Sequence, residues 1–112
     1  PIIYFPGTGC DQLFSLGHLP VDVVAVDWRT PLTGAAKILD SVGLNCSLQG
    51  NLDPQTLVGD RDFVKDRVRE VLREAREIGD RRHIFNVGHG LLPHTNPEAL
   101  TWVLEVLRSE GL

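Results

Sequence analysis

Four short apolar runs, each followed by a segment of helical periodicity, confine this chain to one broad architecture. The runs occupy residues 1–5, 21–28, 45–52 and 83–87. In the second, Val23, Val24, Ala25 and Val26 are continuous, and strands without polar alternation suit a parallel sheet. Between them the spacing predicts helices. A short, weak one over 10–17 ends at Gly17 and Pro20. A second over 32–42 carries Leu32, Ala35, Ala36 and Leu39, with Gly43 just beyond its end. The strongest covers 61–78, with Asp60 as N-cap, Gly79 as terminator, and Val64, Val68, Val71, Leu72, Ala75 and Ile78 as its apolar positions. The last covers 97–110, with Asn96 as N-cap, Pro97 at its first position, and a stripe of Leu100, Val103, Leu104 and Leu107.

The order β-α-β-α-β-α-β-α favours parallel βαβ units. Residues 43–45 and 79–82 read as ordinary connections, and no repeat or linker divides residues 1–112. Four strands fit either an open sheet or one half of an eight-stranded barrel, and composition and periodicity leave both standing. A whole (β/α)8 barrel takes about 250 residues, and this chain has 112. Exposed parallel edges would be a liability in either case.

A net charge of −4 offers no basic excess to neutralise nucleic-acid phosphates. Eight of the eleven basic residues lie between Arg61 and Arg82, but six acids share that span. Asp62 with Lys65, Asp66 with Arg69, and Glu70 with Arg73 are i,i+3 neighbours, so the segment reads as a solvated helix face. Cys10 and Cys46 form neither a CxxC pair nor a disulfide framework and read as reduced thiols. No charged segment leads into an apolar one as in a secretory signal, and no apolar run approaches about 18 residues.

Ligands of parallel α/β folds bind beyond the C-terminal ends of the strands. Those ends run into Pro6-Gly7-Thr8-Gly9, Asp27-Trp28-Arg29, Gln49-Gly50-Asn51-Leu52-Asp53-Pro54 and Asn86-Val87-Gly88-His89-Gly90. Glycines around His89 would let a ligand approach the backbone and let the imidazole project into a pocket; a tight turn with a solvated histidine is the alternative. Asp27 and Trp28 read either as a pocket wall or as a helix cap beside a core aromatic. Asn51 and Asp53 read either as site residues or as turn chemistry before a short helix at Pro54. The glycine loop at 6–9 lacks both the Walker lysine and GxGxxG, so phosphate binding there is poorly supported. His83, His89 and His94 have no carboxylate or cysteine at ligand spacing, so no metal site is expected.

Three segments carry more than a fold class. They are Val26-Asp27-Trp28, Leu48-Gln49-Gly50-Asn51-Leu52-Asp53-Pro54, and Ile84-Phe85-Asn86-Val87-Gly88-His89-Gly90-Leu91-Leu92-Pro93 followed by Asn96-Pro97-Glu98. In this order they closely resemble the last four βα units of the uroporphyrinogen decarboxylase family, and the resemblance covers essentially the whole chain. It implies an α/β fold, the C-terminal half of a (β/α)8 TIM barrel, with the N-terminal half absent from residues 1–112.

The resemblance further implies a cytoplasmic homodimer acting in porphyrin and heme biosynthesis. It would remove the four acetate carboxyls of uroporphyrinogen III to give coproporphyrinogen III, without metal or organic cofactor. The protonated pyrrole would serve as electron sink. The family's carboxylate-holding arginines and cation-stabilising aspartate would lie outside these residues, so neither Asp27 nor Asp53 inherits that role. One family substrate contact maps onto the chain, at His89. Gln49, Asn51 and Asn86 are expected to be pocket residues near it. The partner expected is the tetrapyrrole, with no nucleic acid and no membrane.

Two alternatives remain at this level. A sister group of zinc-dependent corrinoid methyltransferases uses H-x-C near the fifth strand and a later cysteine. Here that strand reads Ile2-Ile3-Tyr4-Phe5-Pro6-Gly7, which Cys10 and Cys46 do not repair; stoichiometric bound zinc would favour that group. The other alternative is a noncatalytic half-barrel that self-associates, two copies supplying eight strands.

Overall fold

The computed structural model describes residues 1–4, 10–79 and 82–110, without the side chains of Cys10 and Asp11. The glycine loop at 6–9 lies outside them. Four strands, β1 (Ile2–Tyr4), β2 (Val23–Ala25), β3 (Ser47–Leu52) and β4 (His83–Val87), alternate with α1 (Cys10–Leu13), α2 (Leu32–Ser41), α3 (Arg61–Glu77) and α4 (Pro97–Ser109). Short 3-10 segments follow α1 at Phe14–Leu16 and β3 at Pro54–Val58.

The helix boundaries follow from capping. Asp60 accepts from the Phe63 N–H, and Asn96 accepts from the Glu98 N–H ahead of Pro97. Gly43 and Gly79 take positive φ after α2 and α3, as predicted. Asp53 accepts from the Gln55 N–H and opens the 3-10 turn at Pro54, which is its turn-forming reading. The expectation that Asp27 caps α2 is not met. Pro31 occupies the cap position without a side-chain bond, and the Leu32 N–H donates instead to Glu74 of α3 at 3.0 Å.

The strands are all parallel and lie in the order β1-β2-β3-β4. In register, Ile3, Val24, Leu48 and His83 form one row, whereas Tyr4, Ala25, Gln49 and Ile84 form the next. Side chains alternate across a sheet, so these rows face opposite sides. Ile3, Val24 and Leu48 pack with Leu32, Ala35, Ala36 and Leu39 of α2. Leu52, Phe85 and Val87 pack with Val64, Val68 and Leu72 of α3 and Val103 and Val106 of α4. No side chain of the Tyr4 row enters either cluster; Tyr4 and Ile84 are exposed, as is Ile2.

Helices on one side of a sequentially ordered sheet decide between the two architectures. A doubly wound sheet reverses its strand order and carries helices on both faces; here neither holds. The sheet is an arc of a barrel wall, not closed within this chain.

Two predicted features change. The second strand is three residues long, because the chain leaves the sheet beyond Ala25 and Val26 makes the last bond, to the Gln49 carbonyl at 2.7 Å. On α4 the buried side is Ala99, Val103 and Val106, while Leu100 and Leu104 are exposed. They border an apolar groove of about 590 Å³ with Phe85, Leu91 and Leu107, along the flank where the sheet ends at β4.

The basic span of α3 is tied to neighbours. Asp66 pairs with Arg69 as predicted, and Arg67 pairs with Glu70. Lys65 and Arg61 instead reach Glu105 of α4, which holds its carboxyl below the usual range. Cys46 is buried. No helix among the described residues is long and apolar enough to cross a membrane.

Candidate active site

A cavity of about 240 Å³ opens at the C-terminal end of the sheet, on the face away from the helices. Tyr4, Gln49, Asn86 and His89 supply its polar wall, and Ala25, Val87 and Gly90 the rest. The structure thus brings together three of the four residues expected from sequence. Gln49 arrives there by alternation along β3. Asn86 ends the same alternation on β4, and its Oδ1 accepts from the Val87 N–H at 2.8 Å. His89 follows in the loop.

Asn51 is placed elsewhere. It is 8% exposed, and its amide donates to the backbone carbonyls of Asp27 and Thr30, at 3.3 and 2.5 Å. It fastens the loop after β2 to β3. A separate cavity of about 520 Å³ includes Asn51 with Trp28, Arg29, Asp53 and Arg67.

Gly88 serves a purpose different from the one expected. A Cβ there would lie 2.4 Å from the Trp28 backbone nitrogen, so glycine is needed for two backbones to meet rather than for a ligand. The Gly88 N–H bonds the Leu52 carbonyl at 2.7 Å. The loop carrying His89 is therefore anchored on β3 and seated against the backbone that follows β2. Gly90 has open space around it.

Asp27 is buried beside the site, and its carboxylate receives the Arg29 backbone N–H at 2.9 Å and the guanidinium Nη1 at 3.1 Å to each oxygen. The guanidinium also lies 4.6 Å above the Trp28 ring. Trp28 is partly exposed and borders the Asn51 cavity, so it is not a core aromatic.

Tyr4 was not singled out by the sequence. Its signal was the alternation of β1, which puts Ile2 and Tyr4 on the uncovered face and Ile3 on the packed one. Its hydroxyl donates to the Gly88 carbonyl at 3.4 Å. Burial, then the Asp27 charge, raise its pKa, with Arg29 opposing.

His83 lies under the sheet end, its Nε2–H donating to the Gly50 carbonyl at 2.5 Å. Burial lowers its pKa, and that hydrogen bond offsets part of the effect. As pH falls below the ordinary histidine value of about 6.5, the unfolded chain gains a proton that the folded chain resists. The stability contribution is complete above that pH and declines as pH falls toward the folded value. Urea midpoints should drop between pH 7.5 and 5.5, and His83→Gln should flatten the drop; equal slopes for both proteins would contradict this. Among the described residues, no three His, Cys, Asp or Glu side chains are grouped to hold a metal ion.

Sequential strands, one helical layer and a polar cavity at the strand ends define the class: an arc of a (β/α) barrel. Within that class, the model of the uroporphyrinogen decarboxylase (URO-D) family matches residues 1–110, and the chain belongs to this family. It is 46% identical over 111 residues to the uroporphyrinogen decarboxylase of Streptomyces coelicolor, covering 98% of this chain and 30% of that protein. To that of Staphylococcus haemolyticus it is 42% identical over 106 residues, covering 94% and 29%. To that of Streptomyces griseus it is 47% identical over 102 residues, covering 90% and 26%. The chain thus spans about 30% of the length of the curated relatives it matches.

Proposed function

We propose that residues 1–112 form the C-terminal four βα units of a uroporphyrinogen decarboxylase, a carboxy-lyase converting uroporphyrinogen III to coproporphyrinogen III. The observation carrying this reading is the meeting of Gln49, Asn86 and His89 in one cavity at the strand ends. These side chains would bind the acidic periphery of the tetrapyrrole, with His89 its principal contact from this half. The reaction needs no cofactor from the protein. A protonated pyrrole ring accepts the electron pair left by carbon dioxide, a proton then replaces the lost carboxyl, and the ring gives back the proton it took up. Protein groups position the ring and stabilise its charge. In this reading the arginines and the aspartate that do so come from the other half of the barrel, and the whole works as a cytoplasmic homodimer.

A second reading applies to the chain by itself. Among the described residues both edges of the sheet are unpaired, and Ile2, Tyr4 and Ile84 are exposed on the uncovered face. The isolated chain is expected to self-associate and to produce no coproporphyrinogen, as followed by light scattering and a turnover assay. Fusing it behind the N-terminal part of the Streptomyces coelicolor relative should restore turnover, and His89→Ala in that fusion should cut kcat/KM by roughly tenfold or more. Turnover by a clean monomer of the isolated chain, or an inactive but folded fusion, would overturn the assignment.

A further inference from the structure

Among the described residues, the cavity at the strand ends is lined by four polar side chains and by no Asp, Glu, Lys or Arg. The Asp27 carboxylate beside it is bound by Arg29. Three of the four polar groups are the expected ones; Tyr4 is the fourth. It shares a row of the sheet with Ala25 and Gln49, so only a methyl group separates the phenol from the Gln49 amide. Its hydrogen bond to Gly88 is 3.4 Å long, near the outer limit, and is readily exchanged for a better one. The raised pKa keeps the hydroxyl a donor at neutral pH.

A carboxylate offers about four acceptor sites, and hydrogen bonds to it are stronger than those between neutral groups. About 240 Å³ accommodates a carboxylate arm but not a whole tetrapyrrole. We propose that Tyr4 is a ligand-binding residue: its hydroxyl leaves the Gly88 carbonyl and donates to a carboxylate arm, completing a polar clamp with Gln49, Asn86 and His89. This rests on the decarboxylase reading only in that a polycarboxylate tetrapyrrole supplies such an arm.

The test uses the chain fused behind the N-terminal part of the Streptomyces coelicolor relative and compares it with its Tyr4→Phe variant, which keeps the ring and loses the donor. Uroporphyrin III, propionate and propionamide are titrated separately, and shifts of the Gly88, His89 and Gly90 amide signals are followed by NMR. Tyr4→Phe should weaken uroporphyrin and propionate roughly tenfold while changing propionamide much less. Equal weakening of all three would mark a merely structural role and overturn the inference. So would unchanged uroporphyrin binding, which leaves the decarboxylase reading intact. Tyr4-dependent propionate binding without uroporphyrin binding would support the clamp and count against the tetrapyrrole. Binding of no carboxylate at all would overturn the clamp.

Discussion

Gly50→Ala should destabilise the chain by about 3 kcal/mol, combining overpacking with the cost of a side chain at positive φ. Gly50 has φ of +130°, and an added Cβ would sit 2.7 Å from the Val26 carbonyl oxygen. That oxygen is backbone and cannot swing aside as a side chain would. The same residue's carbonyl receives His83, so any shift also disturbs β4. Urea denaturation at neutral pH is the measurement. A midpoint within error of the parent would show that β3 can relax at this point and that the strain argument fails.

Asn51→Asp should be as damaging, at about 3–5 kcal/mol. The change replaces a buried donor by an unpaired buried charge facing two carbonyl oxygens. Asn51→Leu should cost less, about 2 kcal/mol. It leaves the Thr30 carbonyl without this donor, whereas the Asp27 carbonyl keeps the Thr30 N–H. Both losses should appear in denaturant unfolding with no ligand added. A stable Asn51→Leu variant that has lost only uroporphyrin binding would return Asn51 to the role its sequence position suggested.

The contrast between Gln49 and Asn51 shows where sequence reasoning stopped. Two residues apart on a strand, they should point to one side. Gly50 breaks the alternation. Its backbone angle takes the chain out of the regular pleat, and Gly50, Asn51 and Leu52 are buried in succession. A glycine in a strand signals such an irregularity but not its direction.

The helices were more legible. The caps Asp60 and Asn96 and the apolar positions of α3 lie where their spacing placed them. The α4 stripe was misread because that helix is apolar over a wide arc. Which part is covered depends on neighbours, and Leu100 and Leu104 face the flank beyond β4. The one-sidedness of the sheet was hidden for a related reason. Ile2 and Ile84 are as apolar as the residues that pack beneath helices. The sequence motifs, rather than periodicity, pointed to a barrel.

The bond from Leu32 to Glu74 links two successive units, since the N-terminus of α2 is completed by a carboxylate on α3. Further along, α3 packs on α4 through Val64, Val68, Val103 and Val106, with Glu105 receiving both Arg61 and Lys65 at the rim. The units overlap like roof tiles, each held down by the next. Such an array has a direction. Trimming it from the C-terminal end uncovers the preceding tile each time, so loss of α4 would loosen α3 and, through Glu74, the start of α2.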